Sequence, residues 1–126
     1  MTDARTTVGE LRATVAAFVD ARDWRPFHSP KNLAMSIAIE AAEILELFQW
    51  LDNEQAWAAG NDPAVRAALA EELADVVIYC LSLSNALDLD VSAAVMGKLE
   101  TNEDRYPAEE FRGLYRRPER DKDGSL

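Results

Sequence analysis

The chain has 126 residues, the size of one domain, and a 48% hydrophobic, 29% charged composition that can bury a core without disulfide or metal staples. Thirteen basic against 23 acidic residues give a net charge of −10, which disfavours a nucleic-acid polymer or an anionic membrane as partner. A single cysteine, Cys80, excludes an internal disulfide framework and a thiolate zinc site.

No apolar run approaches the roughly 18 to 20 residues that span a bilayer, and the polar first residues carry no apolar signal region. A cytoplasmic location is therefore expected. Alternating apolar and polar runs are missing while Ala and Leu dominate, so the expected fold is all-α. Thr7-Val-Gly-Glu10 is a capping-box pattern, and Val8, Leu11, Val15 and Phe18 follow it at helical spacing. They predict a first helix from residue 8 to about 22. Residues 23–29 contain Pro26 and no helical period, and read as an ordered loop. Ser29-Pro30 places a cap before a proline and opens a second helix, expected to continue through residue 51. A short helical piece over residues 53–59 ends at Gly60-Asn61. Asp62-Pro63 repeats the cap-and-proline device and opens a third helix to residue 87. Asp90 caps a fourth, from residue 91 to about 105, which stops before Pro107. Residues 112–126 hold five basic and three acidic side chains among Gly, Pro and Ser, so they read as a mobile tail, and their +2 leaves −12 on the rest. The expected organisation is a four-helix bundle over residues 1–111 followed by that tail.

The acids of the second and third helices fall on the wrong face for solvent. At about 100° per residue, Leu33, Ile37, Ile44 and Leu47 all lie within about 60° of Glu40. Val65, Leu69, Val76, Tyr79 and Leu83 lie equally close to Glu72. Each helix carries a second acid at the edge of its stripe, Glu43 and Asp75 respectively. Glu46 and Glu71 lie nearer solvent. Carboxylates in apolar stripes need basic partners, protonation or a hard cation. The two helices offer only Lys31 and Arg66, both near their starts. A divalent cation is the better compensation, and all-oxygen ligands favour Mg²⁺ or Mn²⁺. Cys80 is expected as a small buried hydrophobe and Trp57 as packing against the bundle.

Glu40-Ala-Ala-Glu43 and Glu72-Leu-Ala-Asp75 resemble the paired acidic motifs of the MazG-like superfamily of all-α nucleoside triphosphate pyrophosphohydrolases. Arg22-Asp-Trp-Arg-Pro-Phe-His28, Phe48-Gln-Trp50, Asp75-Val-Val-Ile-Tyr79 and Arg105-Tyr-Pro107 look like its dCTP pyrophosphatase branch. The resemblance covers residues 8–107. It implies a MazG-like bundle completed by oligomerisation, as a homodimer or homotetramer, that hydrolyses a (d)NTP to the monophosphate and pyrophosphate. It further implies Mg²⁺ held by Glu40, Glu43, Glu72 and Asp75, a nucleoside pocket lined by Trp24, His28, Trp50 and Tyr79, and phosphate contacts from Lys98, Asn102 and Arg105. Glu103-Asp104 departs from the branch, which tends to be basic there.

That role agrees with the residues. Water attack on the α-phosphorus needs the triphosphate charge neutralised and the nucleophile lined up. Glu43, at the edge of its stripe, is the choice for the group that accepts the water's proton. Trp24, Trp50 and Tyr79 offer flat faces to a base. Trp24 and Trp50 flank the second helix, so they meet one nucleotide only if another helix or subunit folds back across it. Core packing is the competing role for these aromatics, helix capping for His28 and plain solvation for Lys98 and Arg105. Two other functions stand beside the dCTP or modified-dCTP reading: a dUTP or other noncanonical-nucleotide pyrophosphatase, and a noncatalytic helical interaction module. A di-iron carboxylate bundle lacks the Glu-x-x-His pairs it requires.

Overall fold

The computed structural model describes residues 1–116, and every regular element among them is helical, as the composition requires. The chain divides into two compact units, Met1–Leu89 and Asp90–Leu126. The first holds α1 (Val8–Asp20), α2 (Pro30–Glu46), α3 (Asn53–Gly60) and α4 (Pro63–Leu87). The second holds α5 (Val91–Arg105) and α6 (Ala108–Phe111). Residues 117–126, most of the expected tail, lie outside the described residues. No helix among the described residues is long and apolar enough to cross a membrane.

The start signals work as their chemistry dictates. Thr7 Oγ1 accepts from the Glu10 amide at 3.1 Å, and the Glu10 carboxylate accepts from the Thr7 amide at 2.7 Å, closing both halves of the capping box. Ser29, Asp62 and Asp90 accept from the first-turn amides of α2, α4 and α5. A further box went unread in the sequence: Asp52 and Gln55 exchange hydrogen bonds of 2.8 and 3.0 Å and open α3. α2 itself stops at Glu46 rather than continuing through residue 51. Asp52 is extended to cap α3 (φ −76°, ψ 175°). The amides of Leu47, Phe48 and Leu51 instead reach carbonyls three residues back.

Two helices end on aspartate in the left-handed region. Asp23 and Asp88 both have φ 51°. After α1, the Trp24 amide donates to the Val19 carbonyl at 3.1 Å and the Asp23 amide to Asp20 at 3.1 Å. After α4, Leu89 reaches Ser84 at 2.9 Å and Asp88 reaches Asn85 at 3.4 Å. Both patterns are Schellman closures without the usual glycine. They end α1 at Asp20, two residues short of the sequence expectation.

In the first unit α2 packs along α4, which also receives α1 and α3. Val19, Leu33 and Leu81 are its buried apolar residues. A polar clamp ties α1 to the end of α4: Arg12 Nε donates to Asn85 Oδ1 at 3.1 Å, and Asn85 Nδ2 donates to the Arg12 carbonyl at 3.0 Å. Arg12 Nη2 also meets the Ser84 carbonyl at 3.4 Å, a favourable place for a cation at a helix C-terminus. Two packing expectations fail. Cys80 is exposed, because the last turns of α4 bury Leu81, Ser82 and Ser84 instead. Trp57 is 80% exposed, since α3 tucks in through the small residues Ala56, Ala59 and Gly60. In the second unit Tyr106 and Phe111 meet edge-on at 5.2 Å, joining α5 to α6.

The left-handed Asp23 gives a test of the first closure. Asp23→Gly should raise stability by up to about 1 kcal/mol and Asp23→Val should lower it by about 1 to 2 kcal/mol. Urea denaturation followed by tryptophan fluorescence measures both.

Candidate functional site

The ordered loop between α1 and α2 is pinned at several points. Arg22 stacks over Phe18 at 3.6 Å and donates to the Phe18 carbonyl at 3.0 Å. Arg25 and Asp20 form a two-pronged ion pair, one contact of which is 2.9 Å, and hydrogen bonding from Arg25 holds the Asp20 carboxyl below its ordinary range. Asn32 Nδ2 donates to the Phe27 carbonyl at 3.1 Å. The segment is not wholly irregular, as residues Arg25–Phe27 make one 3₁₀ turn. Pinned in this way, the loop presents Trp24 and His28 towards α4.

Those two residues join Tyr79 in one aromatic row. Trp24 lies 5.8 Å from Phe18 and 6.4 Å from His28, and His28 lies 6.5 Å from Tyr79, centroid to centroid. A cavity of about 350 Å³ opens along the row, lined by Trp24, His28, Tyr79 and Asp75 together with Thr14 and Phe18. The sequence marks Phe18 only as part of the apolar repeat of α1 and does not mark Thr14, although their four-residue spacing puts them on one face of that helix.

Asp75 links this cavity to the acids. Carboxylate oxygens of Glu40, Glu72 and Asp75 approach within 4.8 Å of one another. Glu40, Glu43 and Glu72 are half-buried and Asp75 is exposed, so the group is partly rather than wholly withdrawn from water. Glu43 is outside the tight trio, yet among its neighbours it is the charge acting most strongly on Glu72. Loss of solvent, then the charges of Glu43, Glu40, Asp75 and Glu71, hold the Glu72 carboxyl above the ordinary glutamate range. None of the four acids is paired with a basic side chain among the described residues. An all-oxygen trio of this spacing suits a hard divalent cation. Glu46 and Glu71 are exposed, as their wheel positions indicate.

The remaining expected site residues lie elsewhere in the sequence. Trp50, just beyond α2, is 86% exposed and does not line the cavity. Lys98, Asn102 and Arg105 occupy positions i, i+4 and i+7 of α5 in the second unit, with Lys98 exposed and the other two half-buried.

A helical fold with converging Glu-x-x-Glu and Glu-x-x-Asp pairs defines the class, and the chain belongs to the MazG-like family, whose model matches residues 35–117. Its relatives are more particular. It is 40% identical over 107 residues to dCTP pyrophosphatase 1 of Rattus norvegicus, covering 85% of this chain and 63% of that protein. To dCTP pyrophosphatase 1 of Homo sapiens it is 41% identical over 102 residues, 81% of this chain and 60% of that one. The chain thus spans a little under two thirds of the length of these curated relatives. The crystal structure of a pyrophosphatase from Archaeoglobus fulgidus is similar with a TM-score of 0.76 and 37% identity, covering 85% of this chain and 98% of that one. The resemblance carried by the acidic and aromatic motifs is borne out.

The crowded acids make stability depend on pH in a definite sense. Because the folded protein holds Glu72 above its unfolded value, its contribution is fully favourable below the ordinary glutamate range and is lost as pH rises through the raised folded value. In metal-free buffer Glu72→Gln should therefore melt higher than the parent at neutral pH. The difference should close as the buffer is taken below the usual carboxylate range. Calorimetric scans at both pH values check the sign.

Proposed function

We propose that this chain is a divalent-cation-dependent nucleoside triphosphate pyrophosphohydrolase acting on dCTP or a modified dCTP. The products are the nucleoside monophosphate and pyrophosphate, formed by water attack at the α-phosphorus. One observation carries the reading: a single cavity has an aromatic row, Trp24, His28 and Tyr79, on its wall together with Asp75 of the carboxylate trio. Such a cavity suits a molecule that is flat and aromatic at one end and polyanionic at the other. The names borne by its relatives, dCTP pyrophosphatase 1 and a pyrophosphatase, point the same way.

Glu40, Glu72 and Asp75, with Glu43 beside them, would hold Mg²⁺ or Mn²⁺. When bound, the cation supplies charge neutralisation for the triphosphate. The chain's own residues do the rest. Trp24 and Tyr79 hold the base by stacking, and His28 offers a ring nitrogen to it. Trp50 belongs to the nucleoside pocket of the assembled protein. Glu43 accepts the proton of the attacking water, a task that suits a carboxylate beside the trio rather than in it. Lys98, Asn102 and Arg105 share one face of α5 and are assigned the phosphate contacts. Residues 1–111 act together as the catalytic domain.

The active form is a homodimer or homotetramer. A helix with apolar residues on more than one face is normally covered on more than one side. On α2, Leu33 is buried while Met35, Ile39 and Leu45 on other faces are exposed, Ile39 and Leu45 at 60%. On α4, Leu73, Val77 and Ile78 are likewise exposed. Self-association is the economical way to cover both helices.

Purified protein should release pyrophosphate from dCTP only with Mg²⁺ or Mn²⁺ present. Glu40→Gln and Glu72→Gln should each abolish release while the helical circular dichroism is kept, and full activity in either would sink the assignment. Trp24→Ala should raise KM about ten- to hundredfold with a much smaller change in kcat, because stacking is worth roughly 1 to 3 kcal/mol and serves ground and transition states alike. Light scattering should return a multiple of the 14.0 kDa chain, and a fully active monomer would refute the assembly.

A further inference from the structure

Among the described residues only two buried side-chain polar atoms have no hydrogen-bond partner, His28 Nδ1 and Ser82 Oγ. Both residues line the cavity described above, and both also line a neighbouring one of about 280 Å³ bounded by Ala16, Asp20, Arg25 and Asn85. Ser82 is 6% exposed. An unpaired buried hydroxyl opposes folding, and helical hydroxyls have an easy remedy in a carbonyl three or four residues back. Other helical hydroxyls of this chain take it. Ser84 donates to the Leu81 carbonyl at 2.7 Å, Thr14 to Glu10 at 2.9 Å and Thr101 to Gly97 at 3.2 Å. Ser82 does not, and it stands on a cavity wall.

Its place on α4 gives the unused hydroxyl a purpose. Asp75, Tyr79 and Ser82 are at i, i+4 and i+7, one stripe of the helix, and all three line the same cavity. From Asp75 to Ser82 the helix rises about 10.5 Å. That is close to the reach of a pyrimidine nucleotide from its α-phosphorus to the edge of the base opposite the sugar. With the phosphates at Asp75 and the ring against Tyr79, that edge arrives at Ser82.

We infer that Ser82 is a specificity-determining residue, its hydroxyl pairing with the group at position 4 of a pyrimidine base beside His28. The inference rests on the nucleotide reading of the cavity and is independent of whether hydrolysis follows. The hydroxyl is a donor and an acceptor, so it accepts from the amino group of cytosine. A base that carries only hydrogen at position 4 leaves Ser82 without a partner.

Calorimetric titration with dCMP, and with the same monophosphate lacking the 4-amino group, provides the test on parent protein and Ser82→Ala. The parent should prefer dCMP about tenfold, the ordinary worth of one hydrogen bond, and Ser82→Ala should bind the two alike. The thermal midpoint of ligand-free Ser82→Ala should equal or exceed that of the parent, since an unpaired hydroxyl has been removed. An unchanged preference in Ser82→Ala, no binding of dCMP by the parent, or a lowered midpoint that reveals a structural partner would each overturn the inference. Pyrophosphate release from dCTP by the same parent sample is read separately: binding with the expected preference but no release would remove the enzymatic reading and keep Ser82 as the base reader.

Discussion

Like charges held together at the edge of water are the constraint on which this molecule turns. Glu40 and Glu43 come from α2, Glu72 and Asp75 from α4, and the packing of α2 along α4 is what brings them together. The same apolar stripes that drive the two helices together carry the acids, so hydrophobic burial and electrostatic repulsion act on one seam in opposite directions. The raised Glu72 is the visible trace of that opposition. A seam built this way is poised to gain from a cation, because binding removes a repulsion that packing has already imposed.

The aromatic side of the cavity has a different origin. It depends on how α1 ends. A Schellman closure at Asp23 turns the chain sharply, and the Arg22–Phe18 stack and the Arg25–Asp20 pair hold the turned segment against α1. Trp24 and His28 are thereby brought beside Tyr79, one helical turn from Asp75. Local backbone chemistry thus sets the aromatic row beside the carboxylates, and Ser82, two turns from Asp75, marks the cavity's other reach along α4.

Among the described residues few apolar side chains are fully buried. Val19, Leu33 and Leu81 are buried, while aliphatic residues on second faces of α2 and α4 remain in water. In the proposed assembly these faces serve as the interior that one copy alone is too thin to supply. The exposure of Trp50 belongs to the same account: among the described residues this tryptophan, just beyond the end of α2, stays 86% exposed.

The sequence by itself determined the helical class, the caps at Thr7, Ser29, Asp62 and Asp90, the extents of α4 and α5, and the acids that share an apolar stripe. Each of these follows from near-neighbour chemistry: a side chain reaching an amide three residues on, or a repeat of 3.6 residues. The capping box that opens α3 was also local, written in Asp52 and Gln55. The left-handed aspartates gave no signal, because only glycine or asparagine ordinarily announces that conformation. What lay beyond sequence reading was decided between elements. Which turns of α4 face α1 rather than α2 set Cys80 outside and Ser82 inside, and no period along one helix encodes the direction of its neighbours. That Glu40, Glu72 and Asp75 converge while Glu43 stands beside them depends on the axial stagger of α2 against α4. That stagger is set by the fit of side chains between the helices, a property of the packed pair and of neither helix alone.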